Sequence, residues 1–109
     1  MLEGYKKSVN QRTIKVQCFP LYTILMVLGN PQVDFISLDI EGAEMPVLKT
    51  IPWDKVNIRA LMIEVNHMGK VFEGSLKDLE QFLDESGFKF YKSVKIDNIY
   101  IRKDFDANQ

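Results

Sequence analysis

The segment Asp-Ile-Glu-Gly at positions 39–42 brings two carboxylates and a glycine close together. It ends an apolar run that begins at Val33 and is typical of a buried parallel strand. If the chain stays extended to Glu41, the side chains of Asp39 and Glu41 project in the same direction, because side chains alternate along a strand. Gly42 then allows a sharp turn and leaves room for a ligand. The spacing predicts two carboxylates that face one cavity, where they can attract a cation or take up a proton.

The same two acids also have an interpretation that needs no ligand. A helix is predicted over residues 43–51, directly after them. Negative side chains near the N-terminus of a helix offset its partial positive charge, which stabilises the helix by about 0.3–1 kcal/mol each at exposed positions. Both interpretations of Asp39 and Glu41 stay open at the level of sequence.

A further carboxylate and the only histidine of the chain, Glu64 and His67, follow the next apolar run. Ligands bind in open α/β sheets at the carboxyl ends of the strands, so these residues are expected to lie beside Asp39 and Glu41. Histidine titrates near neutral pH and can act as a base there, although a solvated loop residue is the alternative. No metal site is predicted, because no metal-ligand spacing is present, and neither a Gly-rich phosphate loop nor a nucleophile elbow occurs.

The elements that must position these residues alternate between strand and helix. Residue periodicity predicts strands near 13–18, 33–39, 58–65, 88–95 and 99–102, and helices near 20–28, 43–51 and 75–86. The last helix has the clearest signal, since Ser75 and Asp78 resemble a capping box. Asp97-Asn98 is predicted as the turn between the last two strands. This order predicts an α/β fold, with a mostly parallel sheet centred on strand 33–39 and an antiparallel hairpin at its end.

Composition indicates one folded domain, since 46% of the 109 residues are hydrophobic and 11% are aromatic. We expect a polar segment at 1–11, the domain at 12–103 and a tail at 104–109. Four aromatic residues at core spacing or beside a corner are expected to pack: Trp53, Phe82, Phe88 and Phe90. Cys18, the single cysteine, cannot form a disulfide within the chain and is expected to be inert on an apolar strand face.

Charge and hydropathy argue against two classes of partner. The net charge of -1 provides no broad positive field, so a nucleic-acid partner is not expected. The longest mostly apolar stretch covers residues 19–29, whereas a membrane-spanning helix needs about 20 residues, so no transmembrane segment is expected. The first residues have no apolar run behind their lysines, and we therefore expect no secretory signal peptide. No targeting signal indicates a compartment.

The string Asp-Ile-Glu-Gly-Ala-Glu at 39–44, followed by Leu-Met-Ile-Glu-Val at 61–65, resembles the FkbM-type methyltransferase family. The resemblance covers roughly residues 12–103 and implies the C-terminal half of a Rossmann-like class I fold that transfers a methyl group from S-adenosylmethionine to oxygen. The family's Gly-rich cofactor loop after the first strand has no counterpart in this chain. The resemblance therefore implies cofactor binding in the intact protein, and weak or absent binding by this chain alone.

Within the resemblance, Asp39 and Gly42 correspond to cofactor-binding positions beside the sulfonium. Glu41, Glu64 and His67 correspond to catalytic positions near the acceptor, which would be a small molecule or a glycan, and Glu44 also falls on the acceptor side. One of these side chains is expected to accept the proton of the acceptor hydroxyl. The residue that acts as base is left open.

Two stretches, at 16–21 and 48–56, are similar to an animal, Star-like branch of the family that is associated with export of growth-factor precursors through the secretory pathway. That similarity implies an alternative function, a non-catalytic module that binds membrane cargo in the endoplasmic reticulum, Golgi or endosome. The sequence just upstream of Met1 would separate the two, since a Gly-rich motif favours the enzyme and a signal anchor favours the module.

The sheet edge at residues 33–40 is expected to be open in this chain, because the half of the fold that would pair with it is not part of the match. An unpaired apolar strand is a template for another chain. We expect that strand 13–18 folds over this edge or that two copies of the chain associate through it, with aggregation as the third outcome.

Overall fold

The computed structural model describes residues 11–66 and 75–105, which contain three helices and four strands. In chain order these are α1 (Leu21–Val27), β1 (Ile36–Leu38), α2 (Glu44–Leu48), β2 (Ala60–Glu64), α3 (Leu76–Glu85), β3 (Phe88–Val94) and β4 (Asp97–Arg102). Over these residues no helix has the length and apolar character needed to cross a membrane. The mixed α/β class is as predicted.

The four strands form one sheet in the order β1-β2-β4-β3. β1 and β2 are parallel, whereas β2 and β4, and β4 and β3, are antiparallel. The prediction of a mostly parallel sheet is therefore wrong. The reason is that β4 lies beside β2 and β3 lies outside β4, so the terminal hairpin supplies two of the three pairings.

β1 lies at the edge of the sheet and has only three residues, so the prediction that strand 33–39 is central is also wrong. Before it, Val33 makes only an isolated parallel bridge to Ile58. Phe35 is half exposed. Within the described residues no strand lies on the outer side of β1.

The predicted strand at 13–18 is not formed, because residues 11–20 are exposed and contain neither helix nor strand. The alternation of Ile14 and Val16 with polar residues determines which side chains would share a face, but it supplies no partner strand. Cys18, expected on a packed strand face, is exposed. Of the two preferred outcomes for the open edge, covering by this segment is excluded for the chain as described.

The core lies between the sheet and the helices, and its most buried members are Leu48, Ile58, Leu61, Ile63, Leu79, Leu83, Phe88 and Tyr100. Trp53 and Phe82 pack against this cluster, as predicted. The Trp53 ring meets the Phe88 ring edge to face, with centroids 5.2 Å apart. Phe90 is an exception, because it is half exposed, although its ring meets the Tyr100 ring edge to face with centroids 5.9 Å apart.

Helix α3 begins with the predicted capping box. The backbone N–H of Asp78 donates to Ser75 Oγ over 3.2 Å, and Asp78 Oδ2 accepts from the backbone N–H of Ser75 over 3.0 Å. The bond from the Ser75 backbone N–H, followed by the bond that the Ser75 hydroxyl donates to Asp78 Oδ2 over 3.1 Å, lowers the pKa of the Asp78 carboxyl, because both favour its charged form. After the C-cap, Gly87 takes a φ of 97°, which ends the helix.

The turn of the β3–β4 hairpin is at Lys95-Ile96, two residues earlier than predicted. Asn98 belongs to β4 and is buried. Its buried amide is satisfied, because its side-chain oxygen accepts from Ser93 Oγ and its side-chain nitrogen donates to the hydroxyl of Tyr100. Lys95 takes the left-handed φ of 58° instead. Tyr100, on the same strand as Asn98, is also buried, and this burial raises the pKa of its phenol.

Candidate functional site

The carboxyl ends of β1 and β2 bring Asp39 and Glu64 together. Leu38 and Ile63 are register partners in this parallel pair of strands. Asp39 follows Leu38, and Glu64 follows Ile63. Neighbours in register on adjacent strands share a face of the sheet, so the two carboxylates point the same way. The predicted approach of Glu64 to Asp39 is therefore found, whereas the predicted place of His67 beside them is not described by the structure.

Glu41 reaches the same place by a turn, which differs from the extended backbone assumed from the sequence. The chain bends at Ile40, and Glu41 and Gly42 follow with φ values of 57° and 99°. A non-glycine residue in the left-handed region is strained by roughly 1–3 kcal/mol and is found disproportionately at functional sites. Gly42 suits the second left-handed position because it has no Cβ, and it is buried within the turn.

One carboxylate oxygen from each of Asp39, Glu41 and Glu64 lies within 4.8 Å of the other two, and we call these three residues the acidic cluster. Asp39 and Glu41 are exposed, whereas Glu64 is only 6% exposed. Carboxylates this close repel one another, and the repulsion is stronger where water is excluded. Such a concentration of negative charge attracts cations.

Glu44 has a different position from the one expected on the acceptor side. It is 1% exposed, and its Oε2 accepts the backbone N–H of Ile40 over 2.8 Å. Its Oε1 is buried and has no hydrogen-bond partner among the described residues. The bond ties the first turn of α2 to the residue between Asp39 and Glu41. The four-residue spacing from Ile40 to Glu44 was the available sequence signal for this contact.

The helix-terminus interpretation of the exposed acids finds little support in the geometry. The N-cap of α2 is Ala43, which provides no side-chain cap, and Glu44 is the acid within the first turn. Asp39 and Glu41 precede the cap. They belong to the acidic cluster by distance, although their roles in binding or catalysis stay predictions.

His67, the other predicted catalytic residue, lies outside the described residues. The described part of β2 ends at Glu64, followed by Val65, whose backbone N–H donates to Ile96 O over 3.0 Å, and by Asn66. The role of His67 as a base therefore stays a prediction from the sequence.

The chain matches the family model for the methyltransferase FkbM domain over residues 2–90. The matched region includes the acidic cluster, its turn and β1 to β2, and it ends within β3. Comparison with curated proteins and with solved structures gives no significant match. Because the family model covers most of its length, the chain belongs to the methyltransferase FkbM domain family.

Proposed function

We propose that this chain provides part of the site of an S-adenosylmethionine-dependent methyltransferase that methylates an oxygen atom. The observation that carries the proposal is the acidic cluster at the carboxyl ends of β1 and β2, in a chain of a methyltransferase family. Methyltransferases of this family usually use S-adenosylmethionine. That end of a sheet is where ligands bind in open α/β folds.

The residues present fit the charge of that cofactor. S-adenosylmethionine would supply an electrophilic methyl group on a sulfonium cation. Asp39 and Glu64 place negative charge at one point, and the burial of Glu64 strengthens its attraction for a cation. Gly42 offers backbone without a side chain beside them. We assign Asp39 and Gly42 to cofactor binding on this basis.

Glu41, Glu64 and His67 are the candidates for the acceptor side. Methyl transfer requires the acceptor oxygen to be held in line with the bond that breaks, and its hydroxyl proton must leave. Glu41 is exposed, so an acceptor such as a small hydroxylated molecule or a glycan can reach it from solvent. One of these three side chains would take that proton. These assignments are part of the proposal.

We expect this 109-residue chain to bind S-adenosylmethionine weakly. Its six glycines stand apart from one another and form no Gly-rich turn that could hold the amino-acid end of the cofactor. Isothermal titration calorimetry of the purified chain should therefore give a dissociation constant above the low micromolar range. A low micromolar constant corresponds to a binding free energy of about -8 kcal/mol, so we expect weaker binding than that. A low micromolar constant would contradict this expectation.

The charge of the sulfonium provides a sharper test of the cluster itself. S-adenosylhomocysteine lacks the methyl group on sulfur, so its sulfur is neutral, and it is otherwise identical. We therefore expect NMR titration to show tighter binding of S-adenosylmethionine, by about tenfold. Chemical-shift changes should be largest at residues 39–42 and at Glu64. Asp39→Asn should reduce the preference, because it removes one of the charges that attract the sulfonium.

Asp54→Asn is the matched control, since Asp54 is also exposed but lies in the corner between α2 and β2. It makes the same change in net charge and should keep the preference for the cation. Equal binding of the two compounds by the unaltered chain would count against the cluster as a cofactor site. An equal effect of both substitutions would show only a long-range dependence on net charge.

The Star-like alternative, with membrane cargo as partner and a place in the secretory pathway, stays a prediction from the resemblance of two stretches. The family match does not distinguish branches, and no contact within the described residues favours a cargo-binding module. The methyltransferase segment is therefore the function that we propose.

A further inference from the structure

Helix α1 exposes apolar side chains on the side that faces away from the core. Leu25 is buried and Leu21 packs against the core, whereas Ile24, Val27 and Leu28 are 46%, 80% and 65% exposed. Phe19, just before the helix, is 61% exposed. Together with Thr23 these four line a groove of about 270 Å³, and we call this surface the α1 groove.

The chain segment that forms the groove contains no charged residue. Residues 16–33 include no Asp, Glu, Lys or Arg. A partner such as nucleic acid requires basic residues on the protein, and a helix that lies on an anionic membrane usually presents Lys or Arg. A charged protein surface would likewise require complementary charges. The α1 groove therefore suits a partner surface that is itself apolar and uncharged.

A second copy of the chain offers such a surface. In a symmetric dimer the same patch must serve as both ridge and hole, because an interface across a two-fold axis is self-complementary. The α1 groove offers both: the groove itself is the hole, and the highly exposed Val27 at its lining is the ridge. Two copies would meet at the groove without repulsion, because residues 16–33 of neither copy carry a charge.

The exposed area is close to what a dimer needs. Ile14 and Val16, which precede the groove in the chain, are 71% and 69% exposed and add to the apolar surface that this segment offers. Six side chains of this size and exposure offer on the order of 600 Å² of apolar surface. A standard interface buries about 800 Å² per partner, including a polar rim. The edge of β1 has less to offer, since Phe35 is the half-exposed large apolar residue in that segment.

We propose that the α1 groove is the interface of a symmetric dimer of this chain, in which Val27 of each copy enters the groove of the other. This shifts the self-association expected at residues 33–40 to the neighbouring helix. It does not depend on the proposed methyl transfer, because the acidic cluster takes no part in it.

Sedimentation equilibrium of the full chain tests the proposal. We expect a reversible monomer–dimer equilibrium with a dissociation constant on the order of 10 µM. Val27→Asp should raise it at least about 30-fold, because it places an unpaired charge in an apolar interface. Val94→Asp, a matched change at a partly exposed valine of β3, should leave it unchanged.

A mixture gives the decisive arm. Val27→Asp and Val27→Lys should each stay monomeric alone but should associate when mixed. Position 27 lines the groove, so in the mixed dimer the aspartate of one copy would face the lysine of the other. Circular dichroism of each variant confirms that it is folded. A monomer at all concentrations of the unaltered chain, or a dimer that survives Val27→Asp, overturns the proposal.

Discussion

Replacing Leu79 by alanine is expected to lower the free energy of unfolding by about 2–5 kcal/mol. Leu79 is fully buried on α3 and belongs to the cluster that joins this helix to the sheet. The substitution removes apolar contacts and leaves a cavity that the surrounding side chains only partly fill. A domain of this size typically has about 5–15 kcal/mol of stability, so a large part of it would be lost.

Urea unfolding followed by circular dichroism measures the change, and Leu76→Ala is the matched control. Leu76 lies on the same helix and is 39% exposed, so the same truncation there should cost about 1 kcal/mol or less. Similar losses for the two variants would contradict the packing of α3 described above, because they would mean that Leu79 is no better buried than Leu76.

The second large effect is expected at Glu44, where substitution by alanine should destabilise the protein by about 2–3 kcal/mol. The alanine leaves the N–H of Ile40 without the acceptor that it has 2.8 Å away. It also removes buried methylene groups from the first turn of α2. Loss of the unpartnered Oε1 offsets a part of this change.

Hydrogen exchange separates the contact from general stability. The amide of Ile40 should exchange faster in Glu44→Ala, while the amide of Leu61 in β2 should change only as far as global stability does. Glu44→Gln keeps an oxygen acceptor and should retain most of the protection at Ile40. Unchanged exchange at Ile40 in Glu44→Ala would show that this bond does not hold the turn.

Features set by neighbouring residues could be predicted from the sequence. The capping box of α3 needs only Ser75 and Asp78, three residues apart, and it forms as expected. Helix α1 likewise follows from Pro20 and the spacing of its leucines, and the structure places it at Leu21–Val27. Each signal lies within one or two turns, so no distant partner has to be known.

Strand pairing depends on distant residues, and the predictions that needed it were wrong. The alternation at 13–18 is that of a strand, yet residues 11–20 form none. Nothing in Phe88–Val94 indicates that β4 would lie between β3 and β2. The turn at Lys95-Ile96 was missed for a related reason, because Asn98 satisfies its polar groups in the sheet with Ser93 and Tyr100.

The convergence of Asp39 and Glu64 was predicted better than the sheet around them. Asp39 and Glu64 need only one parallel pair, β1 with β2, and that pair forms. The wrong expectations concern the outer side of β1 and the strands beyond β2. They therefore leave the carboxyl ends of β1 and β2 unaffected. The left-handed backbone of Glu41 could not be foreseen, because a glutamate rarely adopts this conformation. The hydrogen bond from Ile40 to Glu44, which spans this turn, could not be foreseen either, because it requires Glu44 to be buried.

The order of the strands has a kinetic consequence for the acidic cluster. β3 and β4 are neighbours in both sequence and space, and closing their short turn costs little chain entropy, so this hairpin is suited to form early. β1 contributes three residues and, among the residues that the structure describes, pairs with a strand on one side only. Its separation from β2 would be among the lowest-energy opening motions, and it would disperse the three carboxylates while the hairpin persists. A cation bound to all three would slow that opening, because it binds only the closed pair.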